Sequence, residues 1–77
     1  MTKIFNRFFV MNIVRVALAV PLPRFFDYLS SPDLAPIVGG RVLVPFGSQK
    51  RVGIVVDLPA SSDVAKEKLK PIIDVLD

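Results

Sequence analysis

Arg41–Leu58 reads RVLVPFGSQKRVGIVVDL. Two runs dense in Val and Ile flank a tight turn, Gly47 to Lys50, and such runs joined through glycine form a β-hairpin. Pro45 ends the first strand, Arg41–Phe46, because proline cannot donate to a sheet ladder. The second strand, Arg51–Leu58, contains Gly53, which points to a bulge or a close backbone approach.

The same punctuation extends in both directions. On the N-terminal side, Ile13–Val20 reads IVRVALAV. Val14, Val16, Leu18 and Val20 share one face and Arg15 lies on the other, the period of a strand. Pro21 and Pro23 stop it. Arg24–Leu29, RFFDYL, is a second short strand with Phe26 and Tyr28 on one face and Phe25, Asp27 and Leu29 on the other. Ser30–Gly40 is a loop. On the C-terminal side, Pro59–Asp63 is a polar turn and Val64–Leu69 one short helical turn with Ser62 or Asp63 as N-cap. Ile72–Leu76 is a final strand. The expected class is all-β with at most one short helix: a small OB-like β-barrel or a strongly curved sheet of about five short strands. A barrel would remove the edges that a flat sheet exposes. This domain spans residues 11–77. Residues 1–10, MTKIFNRFFV, lack a clear period and are set apart as a mobile N-terminal extension, with Met11 as the equivalent start.

Composition narrows the function. The chain has 77 residues, no cysteine and no histidine, so it lacks the commonest general base and the commonest transition-metal ligands. Glu67 is its one glutamate. No phosphate loop, dinucleotide fingerprint, metal-ligand cluster or nucleophile elbow occurs. We expect no catalytic residue, no metal site and no cofactor in this chain. The missing cysteine fits a cytosolic protein. Lys3, Arg7 and Arg15 before Val16–Val20 loosely imitate a signal peptide, but the apolar run is too short and closes on prolines. Nothing approaches the ~20 apolar residues of a membrane span.

The net charge is +3, yet Lys3 and Arg7 supply much of it. From Met11 onward eight basic residues face seven acidic ones. Any nucleic-acid binding must therefore use a local site, because the overall charge supplies no broad basic face. Two segments stand out: PLPRFFDYL, Pro21–Leu29, and VPFG, Val44–Gly47. On pattern alone, Phe26 and Tyr28 are core residues, Asp27 faces water and VPFG is a hairpin corner. Lys66, Lys68 and Lys70 read as a solvated run.

Taken together, PLPRFFDYL, GGRVLVPFG, RVGIVV and LKPIIDVLD occur in the order and at the spacing of a known family. From Met11 to Asp77 the chain resembles the opening of primosomal protein N′, the PriA family of replication-restart helicases. Two departures are visible: residues 1–10 are extra, and the turn at Ser48–Lys50 is short. The resemblance implies an OB-like module that captures the 3′-terminal nucleotide of a nascent strand at stalled forks, independently of sequence. It places Phe26 against that nucleotide, Asp27 on its 3′-hydroxyl, Gly47 where the backbone must come close, and Lys70 as positive charge. It implies DNA with a free 3′ end as partner, together with the missing helicase portion of the same protein and other primosome proteins, and no membrane. The full-length family uses ATP, Mg and Zn; its motor motifs and zinc-binding cysteines are absent here. A cytoplasmic, nucleoid-associated location follows. The residues agree: an aromatic face stacks on any base, and a carboxylate, which repels phosphate, suits a free hydroxyl. A protein-interaction β-barrel adaptor and a purely structural N-terminal domain are the alternatives.

Overall fold

The computed structural model describes residues 12–77. The boundary expected between residues 10 and 11, and the expected N-terminal extension, lie outside these residues. Five strands form one antiparallel sheet: β1 Asn12–Leu18, β2 Phe26–Ser30, β3 Arg41–Phe46, β4 Gln49–Asp57 and β5 Asp74–Val75, in the spatial order β2-β1-β4-β3-β5. A single 3-10 turn, η1 Lys66–Lys68, precedes β5. The all-β, strongly curved expectation holds.

Alternation along the strands builds the core. Val14 and Val16 of β1, Val42 and Val44 of β3 and Val55 of β4 are at most 1% exposed, with Tyr28 and Ile72 closing the cluster. The β1–β2 register places Val14 opposite Tyr28 and Val16 opposite Phe26, so β2 turns Phe26, Tyr28 and Ser30 inward. Gly53 sits on the same inner face. A Cβ there would collide with the Val16 side chain and come 2.6 Å from Leu18 Cδ2. The glycine is required by this close approach of β4 to β1. The ladder is irregular a little further along, where Arg15 faces Asp57 and Val16 faces Val55, leaving Val56 as the extra residue of a bulge.

Curling brings the two outer strands toward the same C-terminal segment. Leu29 of β2 forms a parallel bridge with Pro71, through Leu29 N–H to Lys70 O and Ile72 N–H to Leu29 O, both 2.8 Å. The next residues turn to the opposite edge, where Ile73 N–H reaches Leu43 O at 2.7 Å and Val42 pairs with Val75. Sharing its hydrogen bonds between two edges shortens the expected final strand, Ile72–Leu76, to two residues. Only the upper part of the sheet is sealed in this way. β5 reaches only Val42 and Leu43, so β3 runs past it at Pro45, where a missing N–H is tolerated. Between that end of β3 and the start of β2 the barrel stays open.

Other boundaries shift for identifiable reasons. β1 ends at Leu18 because Val20 N–H is used in a local turn to Leu18 O. β2 starts at Phe26 because Arg24 N–H turns back to Leu22 O. The hairpin turn is only Gly47–Ser48, since Phe46 already pairs with Gln49. Gly47 has φ +60° and Ser48 is not in the positive-φ region, a type II′ turn with glycine at its first central position. Ser62 does not cap η1: its N-cap is Ala65, which makes no side-chain cap bond.

Candidate nucleic-acid interface

The open end of the barrel is a cleft of about 700 Å³. Phe26, Asp27, Gly47 and Lys70, from three separate parts of the sequence, all line it. Arg15, Arg24, Phe25, Phe46 and Lys68 join them. Curling brings the start of β2 and the end of β3 together. Tyr28 Oη donates to Pro45 O at 2.8 Å, and the Phe26 and Phe46 rings meet edge to face, 5.2 Å apart at 83°. Desolvation raises the Tyr28 phenol above its ordinary pKa, which keeps it a donor.

Phe26 is half-buried against the core. The Arg24 guanidinium lies 4.8 Å from its ring centroid, within cation–π range. With Phe46 at the ring as well, Phe26 is a floor of the cleft. Its neighbour Phe25 is 57% exposed. Alternation points Phe25 away from the core, so it is the aromatic whose surface is open to a ligand. The sequence reading passed over Phe25, because PLPRFFDYL marks both phenylalanines equally and only the packing separates them.

Asp27 lies on the opposite face of β2 from Phe26, and the cleft wraps around the strand edge to reach both. Its side chain is 8% exposed, unlike the water-facing carboxylate of the pattern alone. Arg15, directly opposite in the ladder, donates from Nε to Oδ1 at 2.9 Å and from Nη2 to Oδ2 at 3.2 Å. Ser62 Oγ donates to Oδ2 at 2.5 Å. The Arg15 hydrogen bond holds the Asp27 carboxyl below its ordinary pKa, Ser62 adds to this, and partial burial opposes it. Asp27 is therefore an ionised, sheltered acceptor. The face assignment of Arg15 and Asp27 was visible in the alternation; their being partners required the register, and Ser62 was marked only as a helix N-cap candidate, with nothing pointing to Asp27.

Gly47 combines its positive φ with empty space: a Cβ there would meet nothing within 4 Å. Lys70 is exposed, and its carbonyl holds Leu29. Lys66 lines a different, smaller cavity beneath residues 60–69, so the apparent lysine run divides between two surfaces. The cleft presents four cations against the two carboxylates Asp27 and Asp63, with Arg15 engaged by Asp27. Such a surface can attract a phosphodiester, stack a base and accept a hydrogen bond from a neutral donor. Among the described residues no cluster of metal-ligating side chains occurs and no helix is long and apolar enough to cross a membrane.

Residues 15–77 match the family of the 3′DNA-binding domain, 3′BD. The chain is 63% identical over 67 residues to the replication restart protein PriA of Haemophilus influenzae, an alignment covering 87% of the chain and 9% of that relative. It is 39% identical over 67 residues to the replication restart protein PriA of Buchnera aphidicola subsp. Acyrthosiphon pisum, with the same coverage of 87% and 9%. The protein of that name from Buchnera aphidicola subsp. Schizaphis graminum is 37% identical over 59 residues, 77% of the chain and 8% of the relative. The chain thus spans about a tenth of the length of these relatives.

Proposed function

The chain belongs to the 3′DNA-binding-domain family of PriA, and from that premise we propose that the open end of its barrel receives the 3′-terminal nucleotide of a DNA strand. The sheltered Asp27 carboxylate, set in a cleft of cations and aromatics, is the observation that carries this reading. A site for phosphate alone has no use for a carboxylate, whereas a strand's terminal hydroxyl needs an acceptor, and a charged one is the strongest available. Phe25 stacks on the terminal base, Phe26 backs the sugar together with Arg24, and Lys68 and Lys70 meet the adjoining phosphates. Gly47 lets the strand lie against bare backbone. None of these contacts reads a base edge, so binding is end-specific and independent of sequence.

The biological setting is part of the same proposal. The strand is the nascent strand at a stalled fork, and the module works within a longer restart helicase that uses ATP, Mg and Zn. Other primosome proteins join it on DNA in the cytoplasm, at the nucleoid. The module itself contributes binding and no chemistry.

The test is an anisotropy titration of the chain against two single strands identical except at the 3′ end, one hydroxyl and one phosphate. A phosphate end offers Asp27 only acceptor oxygens, so the hydroxyl end should bind at least tenfold more tightly. Equal binding would refute end capture.

A further inference from the structure

Arg15 and Ser62 hold Asp27 in different ways. The two bonds from Arg15 are anchored by the β1–β2 ladder, which sets Arg15 opposite Asp27. Ser62 arrives from a connection 35 residues away in sequence. Residues 58–64 share no backbone–backbone hydrogen bond with any other described residue. Leu58 and Val64, at either end, are 43% and 41% exposed. Beneath the segment lies a cavity of about 370 Å³ between Ser62 and Val64 on one side and Ile13 and Leu29 on the other. Pro59 and Ser62 are half-buried, and beyond the local bond from Leu58 N–H to Asp57 Oδ1, the Ser62–Asp27 bond is the segment's hydrogen bond to the sheet.

That bond has the chemistry the cleft is built to offer a ligand. A carboxylate accepts about four hydrogen bonds, of which Arg15 and Ser62 occupy three. The Ser62 donor is a neutral alcohol, as is the 3′-hydroxyl of a sugar. With the Asp27 side chain 8% exposed, a sugar that reaches it must take the space of the side chain covering it. The ladder holds Arg15 opposite Asp27 with two bonds, whereas Ser62 makes one bond from a connecting segment, so Ser62 is the side chain more readily displaced. We infer that Ser62 is an internal stand-in for the strand's terminal hydroxyl, displaced as residues 58–64 swing aside and the strand end takes over its bond to Asp27. The inference rests on the reading of the cleft as a 3′-end site.

Displacement has a defined consequence. An end with a hydroxyl replaces the bond it breaks, and an end without one leaves a sheltered acceptor unpaired, which is unfavourable. Ser62 opposes both ends equally by its own hydrogen bond. It therefore sets affinity, and Asp27 sets the preference for hydroxyl.

The experiment is an anisotropy titration of the 77-residue chain, as wild type, Ser62→Ala and Ser62→Thr, against strands ending in a 3′-hydroxyl or a 3′-hydrogen. Loss of one competing hydrogen bond to a charged acceptor corresponds to a change of roughly ten- to a hundredfold. Ser62→Ala should tighten both strands by that factor and keep the ratio between them. Ser62→Thr, which retains the hydroxyl, should match wild type. Unchanged or weaker binding of the hydroxyl-ended strand by Ser62→Ala would overturn the inference, as expected if Ser62 merely orders Asp27. If wild type shows no preference between the two ends, the 3′-end reading itself fails and the role of Ser62 falls with it. If wild type prefers the hydroxyl and Ser62→Ala does not tighten, only the role of Ser62 is lost.

Discussion

Arg15 and Asp27 face each other across the β1–β2 ladder, and the guanidinium bonds both carboxylate oxygens, at 2.9 and 3.2 Å. The pair makes the candidate site part of the sheet. It fixes the carboxylate's orientation before any ligand arrives and offsets its charge, so an approaching phosphodiester meets a near-neutral pair. Preorganisation of this kind lowers the ordering entropy lost on binding.

The pair should also leave a signature in acid. Arg15 depresses the Asp27 carboxyl in the folded chain, so the folded state holds its charge to lower pH than the unfolded state, whose carboxylates titrate near about 3.9. The resulting stability is present above that value and fades as pH falls through the lower folded value. The urea midpoint of wild type should therefore hold above about pH 5 and drop as pH falls below about 4. Asp27→Asn should start lower at neutral pH and change less as pH falls, while Asp33 and Asp77, whose carboxyls are also depressed, keep contributing to the slope.

The two adjacent phenylalanines should separate by experiment. Phe26 is half-buried on Phe46 and the core, so Phe26→Ala should cost roughly 2–4 kcal/mol of folding stability, near the lower end for a large apolar side chain. Phe25 is 57% exposed in the cleft. Phe25→Ala should leave the melting temperature within a few degrees and weaken single-strand binding by about 1–3 kcal/mol, the worth of one aromatic–base stack. Thermal melts and anisotropy on the same two variants check both halves.

Lysines 66 and 70 should differ although both are exposed. Lys70 lines the cleft and Lys66 lines the separate cavity behind residues 60–69. Lys70→Ala should weaken single-strand binding and reduce the slope of log K against log salt by about 0.7, one phosphate contact on a single strand. Lys66→Ala should change the slope less. Equal slopes would indicate a diffuse basic surface.

Much of the architecture was legible because strand alternation and proline punctuation are local. Arg41–Phe46 emerged as a strand at its observed limits, and Gly53 was marked as a bulge or a close approach, of which Val16 and Leu18 explain the second. Strand ends depended on non-local pairing. The C-terminal segment bonds Leu29 at one edge and Leu43 at the other, which no local pattern encodes. The site was legible in part for the same reason. Resemblance brought Phe26, Asp27, Gly47 and Lys70 together by name, and the fold places all four around one cleft. Arg15 and Ser62 reach Asp27 from 12 and 35 residues away, so they became visible only with the register and the loop path. Composition alone left DNA binding, protein docking and a structural role open, because beyond Met11 the charges nearly cancel.

The central claim is that Asp27 bonds the strand's terminal hydroxyl. A double-mutant cycle measures that contact directly: wild type and Asp27→Ala, each titrated with strands ending in a 3′-hydroxyl or a 3′-hydrogen. Changing the end from hydroxyl to hydrogen should weaken binding to wild type and barely change binding to Asp27→Ala. The coupling energy should be about 1.5–3 kcal/mol, the range for a hydrogen bond to a charged acceptor. A coupling near zero, with Asp27→Ala changing both strands alike, would contradict the account and leave Asp27 as the structural partner of Arg15.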